Sequence, residues 1–351
     1  MAIPAALRAG ALLSALHAVA QAQTIWQDWG PVVKMGDPVA PHILWNDPSV
    51  LKEDGQFRMW LSGGDARNLT RIPVSIYEAY SPDGLHWRIN PAPVLEPGPP
   101  SAWDGLRTET PSVIKAKSVY HLYYTGFDES GARSGISSIG HATSIDGRSW
   151  VKDPQNPVLK GQTSDPFRWG YGGVGEPCAF YDEATDSIYL YYVGLRYSPA
   201  NPKVGHIAVL LAVSRDGSSF TPVLDVHKDS KVILFRDVPG AIDGAWFGYS
   251  SPSATRTPDG KIHLFAAFVV APGGPATARN VLIAHAVSLD FENFTLQQEM
   301  ILRAGLGDWK DHQVGAPSVL EENGRLLLWY AGQRANPFFA GIGLLSAPPP
   351  N

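Results

Sequence analysis

Trp45-Asn46-Asp47-Pro48-Ser49-Val50 returns four more times along the chain in altered form. The recurrences are Thr110-Pro111-Ser112-Val113, Glu176-Pro177-Cys178-Ala179, Ser251-Pro252-Ser253-Ala254 and Ala316-Pro317-Ser318-Val319. Their prolines stand 63, 66, 75 and 65 residues apart. Behind each comes a turn and then an aromatic or apolar stretch, as in Phe57-Arg58-Met59-Trp60-Leu61 and Ile188-Tyr189-Leu190-Tyr191-Tyr192. Asp54-Gly55, Asp259-Gly260 and Asn323-Gly324 fall in that turn and signal a hairpin. A long, regular self-similarity of this kind marks a repeat architecture.

The second half of each unit recurs as well. Segments 76–81, 139–144 and 207–214 run into Asp83-Gly84, Asp146-Gly147 and Asp216-Gly217, then Trp87, Trp150 and Phe220. Pro93-Val94-Leu95, Pro157-Val158-Leu159 and Pro222-Val223-Leu224 follow. Each unit therefore reads as about four short strands. Four-stranded units set around an axis make a β-propeller, and five units make an all-β, five-bladed one. The fifth unit stops after its third strand, at 341–346. Trp29-Gly30-Pro31-Val32-Val33 matches the missing fourth strand, so the N-terminal strand is expected to close the ring and cover an open edge. A β-sandwich is the competing architecture, but it does not predict five equivalent units.

Composition limits the rest. The chain has 351 residues, 28 Lys and Arg against 33 Asp and Glu, and hence a net charge of −5. The basic residues form no face, so nucleic acid is not expected as a partner. The single cysteine, Cys178, excludes an intramolecular disulfide framework and a cysteine zinc site. Residues 1–22 read as a secretory signal: Arg8, an apolar run, then Ala20-Gln21-Ala22 as a cleavage site. The mature chain, 23–351, is then one propeller domain, secreted or periplasmic. No later stretch is long and apolar enough for a membrane span.

In a propeller the first strand of each blade lines the central channel, so the residue before each proline sits at one mouth. Those residues are Asp47, Thr110, Glu176, Ser251 and Ala316, with Glu109 beside Thr110. A purely structural position should take similar residues in every unit. Asp47, Glu109 and Glu176 instead put three carboxylates on one pocket. Clustered carboxylates push their pKa values apart, so one serves as acid and another as base. Glycoside cleavage needs such a pair. Against this, Asp47 could cap a turn, Glu176 could end a glycine-rich loop, Glu109 could pair with Arg107, and Asp104 competes with Glu109. Trp45, Asn46, Trp103, Arg107, Arg168, Trp169, Trp246 and His312 lie in or beside the segments that enter the channel strands. Tryptophan faces stack on the C–H faces of sugars, which makes these residues the expected carbohydrate contacts.

On these motifs the chain resembles the five-bladed propeller glycoside hydrolases of families 43, 32 and 68. Trp45-Asn46-Asp47-Pro48-Ser49-Val50 and Gly175-Glu176-Pro177 carry the likeness, and a single-domain family 43 layout matches best. The resemblance implies Asp47 as base or nucleophile, Glu176 as general acid and Glu109 as the residue that tunes them. Blade 2 departs from the pattern, since Thr110 rather than an acid precedes Pro111. The resemblance also implies furanoside substrates such as arabinofuranosides. No cofactor is required, although a calcium ion in the channel is compatible with the fold, and a monomer is expected. Two readings compete with hydrolysis. A family 130-type phosphorylase would need a basic cluster for phosphate, for which Arg107, Arg168 and His312 are candidates. A non-catalytic glycan-binding propeller would keep the tryptophans and need no opposed acids.

Overall fold

The computed structural model describes residues 25–35, 43–65, 73–129, 137–238, 240–273, 277–305 and 309–348. The expected signal segment lies outside them. The described chain is all-β and forms 22 strands. The first strand, β1, is Gln27–Lys34. The first unit holds β2 (Ile43–Glu53), β3 (Gln56–Asp65), β4 (Val74–Ser81) and β5 (Arg88–Ile89). The second holds β6 (Arg107–Ala116), β7 (Val119–Phe127), β8 (Ser138–Ser144), β9 (Val151–Lys152) and β10 (Leu159–Lys160). The third holds β11 (Val174–Asp182), β12 (Ser187–Tyr197), β13 (Gly205–Ser214), β14 (Thr221–Pro222) and β15 (Val232–Leu234). The fourth holds β16 (Trp246–Arg256), β17 (Ile262–Ala271), β18 (Arg279–Ser288) and β19 (Thr295–Arg303). The last holds β20 (Gln313–Glu322), β21 (Arg325–Arg334) and β22 (Phe339–Ala347).

Within each unit the strands pair antiparallel in sequence order, as a meander does. β1 pairs antiparallel with β22, which gives the sheet order β1-β22-β21-β20. Two departures from separate four-stranded units are visible. Short parallel pairings join β4 to β6 and β13 to β16, so the other strands form two nine-stranded sheets. The fourth strands of the first three units are broken into short pieces, whereas β19 runs unbroken. Pro93 and Pro157 fall between the pieces of the first two, where a residue without an N–H has nothing to give to a ladder.

One backbone device repeats in every unit. The residue before each repeat proline has a left-handed φ: Asp47 51°, Thr110 52°, Glu176 50°, Ser251 47° and Ala316 46°. Each inner strand shifts register at that point, between Asn46 and Ser49 in β2 and between Gly175 and Cys178 in β11, for example. A left-handed non-glycine residue costs roughly 1–3 kcal/mol and persists only where its surroundings over-determine it. Here the surroundings are side-chain hydrogen bonds between neighbouring inner strands. Val113 N–H donates to Ser49 Oγ, Ala179 N–H to Ser112 Oγ, Ala254 N–H to Cys178 Sγ, Val319 N–H to Ser253 Oγ, and Val50 N–H to Ser318 Oγ. The fifth bond returns to the strand from which the first began.

Aromatic residues tie the same neighbours further out. Trp60 Nε1 donates to the Gly147 carbonyl, Tyr123 Oη to Gly217, Tyr191 Oη to Phe291 and Trp329 Nε1 to Gly84. The Ser-x-Asp turns provide those carbonyls. In each, the aspartate accepts backbone N–H bonds that hold the turn, as Asp83 does from Leu85 and His86. Trp60 and Trp329 are fully buried. The core is therefore a set of clusters between successive units.

Candidate active site

A backbone bulge re-aims the side chain it carries. The five bulges place Asp47, Thr110, Glu176, Ser251 and Ala316, with their prolines, around one constriction of about 30 Å³. Beside it lies a cleft of about 360 Å³ that shares Glu176 with the constriction and adds Glu109, Thr125, Ser250, Asn280 and Gln313. That volume falls in the range of roughly 300–1,000 Å³ typical of ligand sites. A wider cavity of about 780 Å³ opens on the far side of the prolines. Among its polar groups, the serine hydroxyls accept in the circuit above, Asp182 pairs with Arg256 at 2.6 Å, and Lys115 pairs with Glu53 at 2.8 Å. The carboxylates expected from the sequence line the smaller pair of cavities.

The three carboxylates interact electrostatically. Asp47 is pushed up to about 8, by burial first and then by the charges of Glu109 and Glu176; bonds to Ser62 and Thr110 oppose the rise. Burial raises Glu109, with the Glu176 charge adding to it and Arg107, 4.0 Å away, opposing it. Burial also raises Glu176, against hydrogen bonds led by Ser251. Ser251 donates twice to Glu176 Oε2, from its N–H at 2.6 Å and from its Oγ at 2.9 Å. The Glu176 N–H donates to Thr125 Oγ1 at 2.7 Å, and the Thr110 N–H to Ser62 Oγ at 2.9 Å. A hydroxyl on the second strand of one unit thus anchors the bulge of the next. The charge on one member of the trio thus raises the pKa of another.

The expected trio is brought together, and Asp104 is not part of it. Asp104 is buried against Tyr124 Oη at 2.9 Å and Lys152 at 2.6 Å. The expected sugar-stacking tryptophans are placed otherwise. Trp45, Trp169 and Trp246 are buried, at 1%, 5% and 8% exposure. Trp45 packs edge-on to Tyr77, and Arg196 covers Trp169. A Cβ on Gly205 would stand 1.8 Å from the Trp246 ring, so that glycine exists to admit it. Trp103 stacks on Tyr124 and occupies the space over Gly126. Trp45, Trp169 and Trp246 serve packing and are closed to a sugar, while Trp103 is partly exposed with Tyr124 stacked on it. Asn46 pairs with Ser62 across β2 and β3. Arg168 donates to the Lys228 carbonyl and lies 3.7 Å from Asp229, away from the described cleft.

His312 does not line the cleft; its neighbour Gln313 does. Strand alternation puts adjacent residues on opposite faces, so an offset of one residue exchanges one side chain for the other. Asn280 and Thr125 were also missed. Their signal was faint: polar residues on strands whose other positions are mostly apolar. Cys178 is no nucleophile, since burial pushes its thiol up to about 12 and keeps it protonated. Among the described residues no group of three or more His, Cys, Asp or Glu could hold a metal ion.

No family model matches the chain. Two uncharacterized proteins of Mycobacterium tuberculosis, from strains CDC 1551 and H37Rv, are 27% identical over 174 residues. That match covers 50% of this chain and 56% of each relative, so the chain spans about half the length of the curated relatives it matches. Three solved structures illustrate the fold. The BT0996–RGII complex has TM-score 0.70 and 15% identity, over 92% of this chain and 92% of that one. A thermostable family-43 glycoside hydrolase has TM-score 0.62 and 15% identity, over 88% of this chain and 91% of that one. Native Bacillus subtilis arabinanase Arb43A has TM-score 0.59 and 17% identity, over 92% of this chain and 97% of that one. The chain thus has an all-β fold of the propeller type, similar to that of glycoside hydrolases including family 43.

Proposed function

We propose that the chain is a glycoside hydrolase built as a five-bladed propeller, with β1 completing the last blade. The circuit of five hydrogen bonds between successive inner strands supports five blades, and the β1–β22 pairing supports closure by the N-terminal strand. The observation that carries the function is the meeting of Asp47, Glu109 and Glu176 at one mouth of that axis, each with its pKa raised. Glu176, held by Ser251, protonates the leaving oxygen, and a second carboxylate of the trio activates water. Furanosides of the arabinan type are the substrate class, by analogy with the family 43 neighbours. Export through residues 1–22 would deliver the enzyme to polysaccharide outside the cytoplasm.

The test is sugar release from furanosides and plant or bacterial polysaccharides, with and without phosphate. Release without phosphate is expected. Release that requires phosphate would make the protein a phosphorylase. Binding without release, unchanged in Glu176→Gln, would make it a glycan-binding propeller.

A further inference from the structure

The resemblance gives Asp47 the water-activating role and Glu109 a tuning role, but the cavities separate these residues the other way. We infer that Glu109 is the carboxylate facing Glu176 across the bound sugar, and that Asp47 is a positioning residue beneath them. This rests on the hydrolase reading and deepens it.

Space is the first reason. Among the described residues, a cleft large enough for a sugar is lined by Glu109 and Glu176, while Asp47 lines the constriction. Roughly 10–15 Å³ accommodates one water, so the constriction of about 30 Å³ has room for about two waters and no sugar ring. The second reason is partnership. Ser62 and the Thr110 backbone hold Asp47. The third is charge. Arg107, two residues along β6 on the same strand face, lies 4.0 Å from Glu109 and favours the ionised form a base needs. Asp47, raised to about 8, stays largely neutral near pH 7 and spares the other two a third negative charge. Sequence position agrees. Glu109 pairs with Thr125, and the matching positions in units three, four and five are Gly175, Ser250 and Gly315, all small. Only Asn46 and Glu109 project a longer side chain there.

The step balances. Glu176 gives its proton to the glycosidic oxygen as the anomeric C–O bond breaks. Water forms the new C–O bond and passes its proton to Glu109. A reducing sugar and an alcohol leave, with Glu176 ionised and Glu109 protonated, and exchange with solvent restores both.

The experiment measures turnover of 4-nitrophenyl and 2,4-dinitrophenyl furanosides by the full chain, with and without sodium azide. Wild type is compared with Glu109→Ala, Asp47→Ala and Asp47→Asn, each checked by thermal melting. Glu109→Ala is expected to lose on the order of 10²–10⁴-fold, with azide restoring turnover and appearing in a glycosyl azide. Asp47→Asn should lose no more than about 100-fold, displace the pH profile and gain nothing from azide. If Glu109→Ala does not fold, Glu109→Gln replaces it, and its pH profile should lose the acid limb that a base produces. Azide rescue of Asp47→Ala and not of Glu109→Ala would overturn the assignment. So would an Asp47→Asn loss equal to that of the Glu109 variant with the pH profile unmoved. A wild type silent on every glycoside overturns the hydrolase reading itself, and this is seen before any variant is made.

Discussion

The bulges of the first three units and those of the last two have the same backbone and different side chains. Left-handed φ values of 46–52° occur at all five, each with the same register shift in the inner strand. Units one and three place Asp47 and Glu176 on the bulge, and unit two places Glu109 just before it. Units four and five place Ser251 and Ala316 there. The bulge is therefore architecture, and the side chain mounted on it is what varies. Ser251 shows how the two interlock, because the quiet bulge of unit four supplies the donors that hold the acid of unit three.

This contrast can be broken by mutation. Glu176→Gln should have the largest effect, a loss on the order of 10²–10⁴-fold in kcat with the melting temperature nearly unchanged. Ala316→Ser, on a bulge without an acid, should leave kcat close to wild type in the same assay. Ser251→Ala removes a donor that favours ionised Glu176, so the acid keeps its proton to higher pH. The alkaline limb of kcat/KM should move upward, with a loss of about tenfold in kcat.

The circuit of inner-strand bonds sharpens the comparison on the side of stability. Ser318→Ala leaves the Val50 N–H without its partner and should lower stability by about 1–3 kcal/mol, read from denaturant unfolding. Cys178→Ser changes a weak sulfur acceptor to the hydroxyl found in the other four units. The change in stability should be under about 1 kcal/mol, in the stabilising direction.

A smaller, pH-dependent effect comes from histidines that the catalytic reading does not use. His263 and His285 stack in unit four, and His121 and His141 occupy the matching positions in unit two. Burial lowers His263 to about 4 and His285 to about 3, below the ordinary value near 6.5. The unfolded chain takes up protons as pH falls below 6.5, while the folded chain does so only near 4 and below. Stability is then complete above pH 6.5 and falls as pH drops through that window. Melting temperatures from pH 7 to 4 should show the decline, and His285→Gln should flatten it.

The units were legible in the sequence because proline, turn and aromatic strand recur together, and the carboxylates because they vary where the rest repeats. The bulge was not legible. A residue before proline ordinarily favours extended backbone, so Asp47 and Glu176 gave no local sign of a left-handed φ. The tryptophans misled for a related reason. Composition shows that Trp45, Trp169 and Trp246 exist, but glycines distant in sequence, such as Gly205 for Trp246, decide whether a ring is buried. Gln313 was overlooked beside His312 because the first residue of a strand fixes its faces, and sequence alone does not place that residue to within one position.

The most direct test of the central claim is a leaving-group series. Wild type and Glu176→Gln would be compared on aryl furanosides whose phenols range from weakly to strongly acidic. If Glu176 is the proton donor at the mouth of the axis, the variant loses most activity on poor leaving groups and little on activated ones. An equal loss across the series would contradict that role and remove the acid from the third bulge.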